Sequence, residues 1–247
     1  MTIPLIVLAV GLSMLLVERR VAARPWPAVR GWWPRAIAFN LVQAAVAYLA
    51  GVAWDGWMLR HRPWTLTGLG VVPQALLSYL AITFVYYWWH RWRHEVPFLW
   101  RWLHQLHHSP RRIEIVTSFY KHPLEILANG LLSSAIIYWG VGADPLPAAL
   151  AVTATGLAEF LYHWNVATPH WLGYLVQRPE SHCVHHEEGL HHYNYADLPI
   201  WDMLFGTFHN PRRSDARCGF GEGQEERLRE MLLGRDLLAP TRAEPTR

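Results

Sequence analysis

Five long apolar runs, separated by segments that carry most of the charge, dominate the pattern of this chain. They cover residues 3–17, 36–59, 69–89, 124–141 and 146–164. A helix of about 20 mostly apolar residues crosses a bilayer. The pattern therefore predicts an all-α integral membrane protein with four to five transmembrane helices.

The first run is short and resembles the core of a signal peptide. Its charged residues, Glu18, Arg19 and Arg20, follow the apolar run, whereas a signal peptide carries its positive charge in front. We therefore expect an uncleaved first span. The last two runs flank the sequence GADPLP, which predicts a tight helical hairpin.

The basic residues favour one orientation across the membrane. Residues 18–35 hold five arginines and residues 90–123 hold six basic residues, whereas the loop at residues 60–62 holds two. Loops rich in Lys and Arg tend to stay in the cytoplasm. This predicts a cytoplasmic location for residues 18–35 and 90–123, and an N-terminus outside.

Composition supports a membrane protein and argues against a nucleic-acid partner. Hydrophobic residues make up 52% of the chain and charged residues 17%, below the soluble average of about 25%. The net charge of +3 comes mostly from arginines beside the apolar runs, as expected at a membrane surface. The two cysteines, Cys183 and Cys218, form no CxxC motif, so we expect reduced thiols.

Histidines provide the candidate chemistry, because three short segments repeat them at regular spacing. The sequence HRWRH has two histidines at i and i+4, and both HQLHH and HCVHH have three at i, i+3 and i+4. Such spacing places the side chains on one face of a helix, and neutral imidazole is the commonest protein metal ligand. The eight histidines are His90, His94, His104, His107, His108, His182, His185 and His186.

These histidines are too many for one zinc ion, which takes three or four ligands. They predict two metals, each held mainly by nitrogen, and such ligands suit iron, zinc or copper better than magnesium or calcium. Spacing alone leaves the choice among these three metals open. The alternative without a metal is a set of interfacial histidines that contact lipid headgroups.

With these motifs in place, the chain resembles the fatty acid hydroxylase/sterol desaturase superfamily of membrane di-iron oxygenases. The similarity covers roughly residues 80–209, and the motifs occur in the order of that family: YYWWHRWRH, WRWLHQLHHSP, SFYKHPLE, LYHWN, PESHCVHH and NYADLPIWDMLFGTF. It implies a catalytic domain at 69–211, after N-terminal transmembrane helices and loops at 1–68. We expect residues 212–247 to form a charged, solvated tail.

The resemblance also implies the site residues. It makes the eight histidines ligands of two irons and adds His163 as a ninth; His122, His191 and His192 are weaker candidates. Asp202, Asn194 and Tyr195 fall in the closing motif of the family. Ligating imidazoles usually donate their second N–H to a carboxylate or carbonyl, so Asp202 and Glu159 are expected to support ligands, with a helix N-cap as the alternative role for Asp202.

The implied activity is the O2-dependent hydroxylation or desaturation of an unactivated C–H bond in a membrane lipid, such as a sterol or fatty-acyl chain. The chain has no flavin, nicotinamide, haem or iron–sulfur motif, so a separate reductase or electron carrier is expected. The alternatives are a histidine-rich metal transporter or sensor and a membrane zinc hydrolase. The metalloprotease motif HExxH is absent, because His94 and Glu95 lack the second histidine.

Overall fold

The computed structural model describes residues 2–238, and this part of the chain is helical without a β-strand. In chain order the helices are α1 (Thr2–Val21), α2 (Trp32–Arg60), α3 (Val71–Glu95), α4 (residues 97–108), α5 (Pro123–Val141), α6 (Pro145–His163), α7 (Pro179–His185), α8 (Pro199–Phe205) and α9 (Leu228–Leu232). The predicted all-α class is confirmed for the described residues.

Three of the predicted spans coincide with α2, α3 and α5. These helices are long and apolar enough to cross a membrane, with mean hydropathies of 1.7, 1.3 and 1.4. The other two runs form α1 and α6, whose role as membrane spans stays a prediction. Helix α3 extends beyond its apolar run to Glu95, so that it carries both histidines of the HRWRH motif.

Helices α3 and α6 pack side by side and run in the same direction. At their first turns, Gln74 accepts from the backbone N–H of Asp144 at 2.9 Å and donates to the Asp144 carboxylate at 3.2 Å. Both helices then end in histidines, His94 and His163. The parallel packing therefore carries these two histidines to the same end of the bundle.

The GADPLP turn forms the predicted hairpin between α5 and α6. Gly142 has a φ of 76°, and a Cβ at this position would lie 2.6 Å from the side chain of Trp64. Arg62 closes the same corner by an ion pair with Asp144 at 3.1 Å. A residue with a side chain would be both strained and blocked at Gly142.

The prediction of a solvated tail is wrong for residues 212–238, because part of this segment packs into the core. Phe220 and Met231 are fully buried and belong to a core cluster with Trp100, Leu106 and other residues beside the histidine motifs. The buried Glu225 pairs with Arg111 at 2.9 Å. The segment packs because a few apolar residues among its charges meet an apolar surface that exists only in the folded chain. Residues 239–247 of the predicted tail lie outside the described residues.

Candidate metal centre

Nine histidines converge at the end of the bundle where α3 and α6 terminate, and they form two groups. In each group, one ligand atom from every histidine lies within 4.8 Å of the ligand atoms of the others. The five-histidine group consists of His90, His94, His104, His108 and His185, and the four-histidine group of His107, His163, His182 and His186. These nine are the eight histidines of the three motifs and His163.

Each HxxHH motif divides its histidines between the two groups. In the first motif, His104 and His108 point into the five-histidine group and His107 into the other. The second motif reverses this pattern, because His185 alone joins the five-histidine group. The rings of His108 and His186 stack between the groups, with centroids 4.1 Å apart. We expected all three histidines of a motif to share one face. Instead, the i and i+4 histidines point into one group and the i+3 histidine points into the other.

Backbone carbonyls fix the orientation of several rings. The Nδ1–H groups of His90 and His185 donate to the carbonyls of Tyr195 and Tyr193, both at 2.7 Å. In the four-histidine group, Nδ1–H of His163 donates to the carbonyl of Glu159 at 2.9 Å. A carbonyl can only accept, so each Nδ1 carries the proton and each Nε2 carries a lone pair.

The lone pairs meet no donor, which is the arrangement that a metal ion satisfies. Nε2 of His90, His94 and His185 is buried without a hydrogen-bond partner among the described residues. Elsewhere Nε2 atoms face one another: His163 and His182 at 3.1 Å, and His182 and His186 at 3.0 Å. Native proteins leave few buried polar atoms unpaired. The donor set therefore fits a metal in each group.

Burial also keeps the imidazoles neutral and able to bind a cation. It lowers the pKa of His104, His107 and His108 well below the ordinary value, and the neighbouring charges lower it further. The pKa of His185 falls to about 3 for the same main reason. At neutral pH each of these rings carries only one proton, so one of its nitrogens keeps a lone pair for a metal.

The weaker histidine candidates lie outside both groups. His122 caps α5: its Nδ1 accepts from the backbone N–H of Leu124 at 3.1 Å, and its Nε2 contacts the carbonyl of Leu232 at 3.3 Å. Both of its nitrogens are thus occupied. His191 is half-buried and contacts Nδ1 of His108 at 3.2 Å from outside the group. His192 is exposed.

Asp202 acts through the backbone and does not contact a histidine directly. Its carboxylate accepts from the backbone N–H groups of Tyr195 and Ala196 at 2.8 and 3.0 Å, and the Tyr195 carbonyl in turn orients His90. The alternative role as an N-cap is wrong, because Leu198 is the N-cap of α8. Sequence spacing could not reveal a contact that passes through a loop.

Asn194 holds the loop that supplies these carbonyls. Its side chain donates to the carbonyls of Ser181 and His209 at 3.0 and 2.8 Å. Tyr193 and Asn194 have positive φ angles of 65° and 52°, an uncommon conformation that is costly outside glycine. This strained conformation occurs where the carbonyls of Tyr193 and Tyr195 contact two of the candidate ligands, His185 and His90.

The prediction that the Glu159 carboxylate supports a ligand histidine is wrong, whereas Glu125, which the sequence did not single out, contacts one. The Glu159 carboxylate pairs with Lys121, and only its backbone carbonyl contacts His163.

The fully buried Glu125 accepts from His104 Nδ1 at 3.1 Å and pairs with the buried Arg93. Its position in the first turn of α5, three residues after His122, was the available signal.

Comparison with known proteins agrees with this geometry. The profile of the fatty acid hydroxylase family matches residues 75–207, which is more than half of the chain and includes all nine histidines. The chain belongs to the fatty acid hydroxylase family. Its resemblance to that family, inferred from the motifs, is confirmed.

Several curated proteins are similar to this family member. The chain is 34% identical to the ornithine lipid hydroxylase OlsE of Rhizobium tropici over 188 residues, which cover 73% of the chain and 51% of the relative. It is 32% identical to the alkylglycerol monooxygenase of Homo sapiens, over 63% of the chain and 34% of the relative. The chain thus spans about a third to a half of the length of these relatives. No solved structure matches.

Proposed function

We propose that this chain is an O2-dependent di-iron enzyme that hydroxylates or desaturates an unactivated C–H bond of a membrane lipid. The observation that supports this most directly is the pair of adjacent all-histidine groups with lone pairs directed inward. The names of its relatives include a lipid hydroxylase and a monooxygenase. Which lipid and which carbon react stays open.

The nine histidines would hold two irons, which supply the redox chemistry with O2 that amino-acid side chains lack. The chain's own residues provide the rest of the site. The carbonyls of Tyr193 and Tyr195 hold two rings in place, and Glu125 holds a third. Seven of the nine histidines are buried and two are partly buried. Among the described residues the two groups contain no carboxylate, which distinguishes this donor set from sites for magnesium or calcium.

A lipid substrate follows from the position of the site relative to the apolar helices. Trp201 of α8 donates to Thr83 of α3 at 3.1 Å, and Phe205 packs on Tyr87 with ring centroids 5.0 Å apart. Thr83 and Tyr87 lie about 18–24 Å along α3 from Val71 at 1.5 Å per residue, within a hydrocarbon layer of about 30 Å. With α3 as a membrane span, the loop that orients His90 and His185 would connect the histidine groups to the hydrocarbon layer, which supports a lipid substrate.

The arginines of residues 18–35 and 90–123 support a site on the cytoplasmic face, with the N-terminus outside. We further propose that electrons come from a separate reductase or carrier. Residues 69–211 would form the catalytic domain, to which the packed part of residues 212–238 contributes core.

The second candidate function, metal transport, is less well supported. A transporter binds its cargo near the middle of the membrane on interrupted helices. Here His90, His94 and His163 lie in the last turns of α3 and α6, and the other six lie in α4 and in and next to α7. This arrangement favours a fixed centre at one end of the bundle.

The test is turnover with labelled oxygen. The purified chain, loaded with iron, is supplied with an electron donor, 18O2 and a membrane lipid extract, and the lipids are analysed by mass spectrometry. Incorporation of one labelled oxygen indicates hydroxylation, and loss of two hydrogens indicates desaturation. His107→Ala should abolish both, whereas His61→Ala, an exposed histidine far from the site, should leave them unchanged. Iron-loaded protein that modifies no lipid would refute the proposal.

A further inference from the structure

A second cluster of polar side chains lines a cavity outside the metal centre. The cavity has a volume of about 170 Å³ and lies where α1 ends. Glu18, Arg24 and Trp26 form one part of its wall, and Arg112 and Asn165 another. Neither histidine group contributes to it.

Four of these residues have a buried polar atom without a hydrogen-bond partner in the described part of the chain. The atoms are Oε1 of Glu18, Nη1 of Arg24, Nε1 of Trp26 and Nε of Arg112. Leaving such a group buried and unpaired is unfavourable. Four around a single cavity indicate a ligand that offers several hydrogen bonds, and three of the four atoms are donors.

The charges around the cavity favour an anion. Glu114 is already paired with Arg19 at 3.4 Å and with Arg112. Arg24 makes no ion pair with a carboxylate within residues 2–238. Its Nη2 donates to the carbonyl of Ala216 at 2.6 Å, and its guanidinium lies beside the Cys183 thiol and 4.3 Å from the centroid of the Trp26 ring. Arg24 is therefore a cation without a carboxylate counter-charge in the described part of the chain.

Glu18 does not oppose an anion in this cavity. Its Oε2 accepts from the backbone N–H groups of Ile115 and Asn165, both at 2.9 Å. Burial raises the pKa of Glu18 to about 7, so the neutral acid is well populated at neutral pH. Because Oε2 is engaged as an acceptor, the proton belongs on Oε1, which then becomes a fourth donor.

We propose that this cavity binds a phosphate group, supplied by a lipid headgroup or by inorganic phosphate. Phosphate offers several acceptor oxygens to the donors, and guanidinium is well suited to bind it. A lipid source is favoured by the exposed Leu12, Leu16 and Val17, which precede the cavity on α1. Acyl chains would lie along this apolar surface while the headgroup reaches Arg24.

Native mass spectrometry of the full chain in neutral detergent tests the proposal. Phosphatidylglycerol and diacylglycerol with the same acyl chains are titrated separately, and radiolabelled inorganic phosphate is measured by equilibrium dialysis. We expect one phosphatidylglycerol per chain at concentrations at which diacylglycerol does not bind. Equal binding of both lipids, together with no binding of inorganic phosphate, would overturn the proposal, because the phosphate group would then make no difference.

Two variants and a matched control assign the binding to the cavity. Arg24→Gln should lower the affinity for phosphatidylglycerol by about tenfold or more, as expected for loss of a charge-assisted contact. Trp26→Phe keeps the ring and removes only the donor, and should weaken binding by a smaller factor. Arg20→Gln changes an exposed arginine in the last turn of α1, four residues before Arg24, and should have no effect. Unchanged binding in both cavity variants, with thermal unfolding like that of the unmodified chain, would overturn the proposal.

The phosphate arm separates the two sources. Binding of inorganic phosphate that is lost in Arg24→Gln, without preference for the charged lipid, would identify phosphate from solution as the ligand. Absence of both kinds of binding would leave ordered water as the occupant and refute the site. These readouts need no turnover, so they stand or fall independently of the proposed oxygenase activity.

Discussion

The buried Glu125 offers a sharp test of how the protein supports its metal centre. Its carboxylate pairs with Arg93 and accepts from Nδ1 of His104 at 3.1 Å, and its side chain is fully buried. Glu125→Met removes both the charge and the acceptor of His104, and it leaves the Arg93 guanidinium buried without a counter-ion. Breaking a buried ion pair in this way costs about 3–5 kcal/mol, and losing a partner of a ligating histidine lowers metal affinity roughly 10–100-fold.

The double variant Arg93→Met/Glu125→Met separates these two effects. Replacing both members of a buried pair by apolar residues is often neutral for stability, so we expect the free energy of unfolding to recover. Metal affinity should stay low, because His104 still lacks its acceptor. Thermal unfolding reports the first quantity, and chelator competition with metal analysis reports the second.

Two results would contradict this reasoning about Glu125. If Glu125→Met bound metal as tightly as the unmodified chain, the carboxylate would not orient His104. If the double variant recovered metal affinity together with stability, Glu125 would serve packing alone. Glu95→Met is the matched control, since Glu95 makes a half-exposed pair with Arg91 on α3, and it should change neither quantity appreciably.

Three further variants test separate parts of the site. His182→Ala should empty the four-histidine group and reduce bound metal from about two ions per chain to about one, by elemental analysis; retention of both would contradict the grouping. Asp202→Asn should lower metal affinity about tenfold in chelator competition, because the Tyr195 carbonyl loses its support, and unchanged affinity would exclude this route. His122→Asn should keep the metal and flatten the pH dependence of thermal unfolding. Burial lowers the pKa of His122, so the hydrogen bond from its side chain caps α5 above about pH 6.5 and is lost as the pH falls below the folded pKa. Asn does not titrate, so its cap should not depend on pH. A variant as acid-sensitive as the unmodified chain would count against the cap.

The helical class and the nine candidate ligands were predicted from the sequence alone. The apolar runs predicted α2, α3 and α5 because hydrophobic periodicity and length act locally. The histidine motifs predicted a metal site because chelating spacing is also local. The packed segment around Phe220 and Met231 was missed, since its apolar residues are sparse and gain partners such as Trp32 of α2 and Trp100 of α4 only in the folded chain.

The identity of the candidate metal ligands is thus a property of the sequence, whereas their division between two groups is a property of the fold. Spacing of i, i+3 and i+4 places three histidines near one another, but it cannot say that His107 and His185 cross to the opposite groups. That assignment depends on how α3, α4, α6 and α7 converge. The same holds for the carbonyls of Tyr193 and Tyr195 and for the carboxylate of Glu125, because hydrogen bonds between residues far apart in the chain exist only once packing has brought them together.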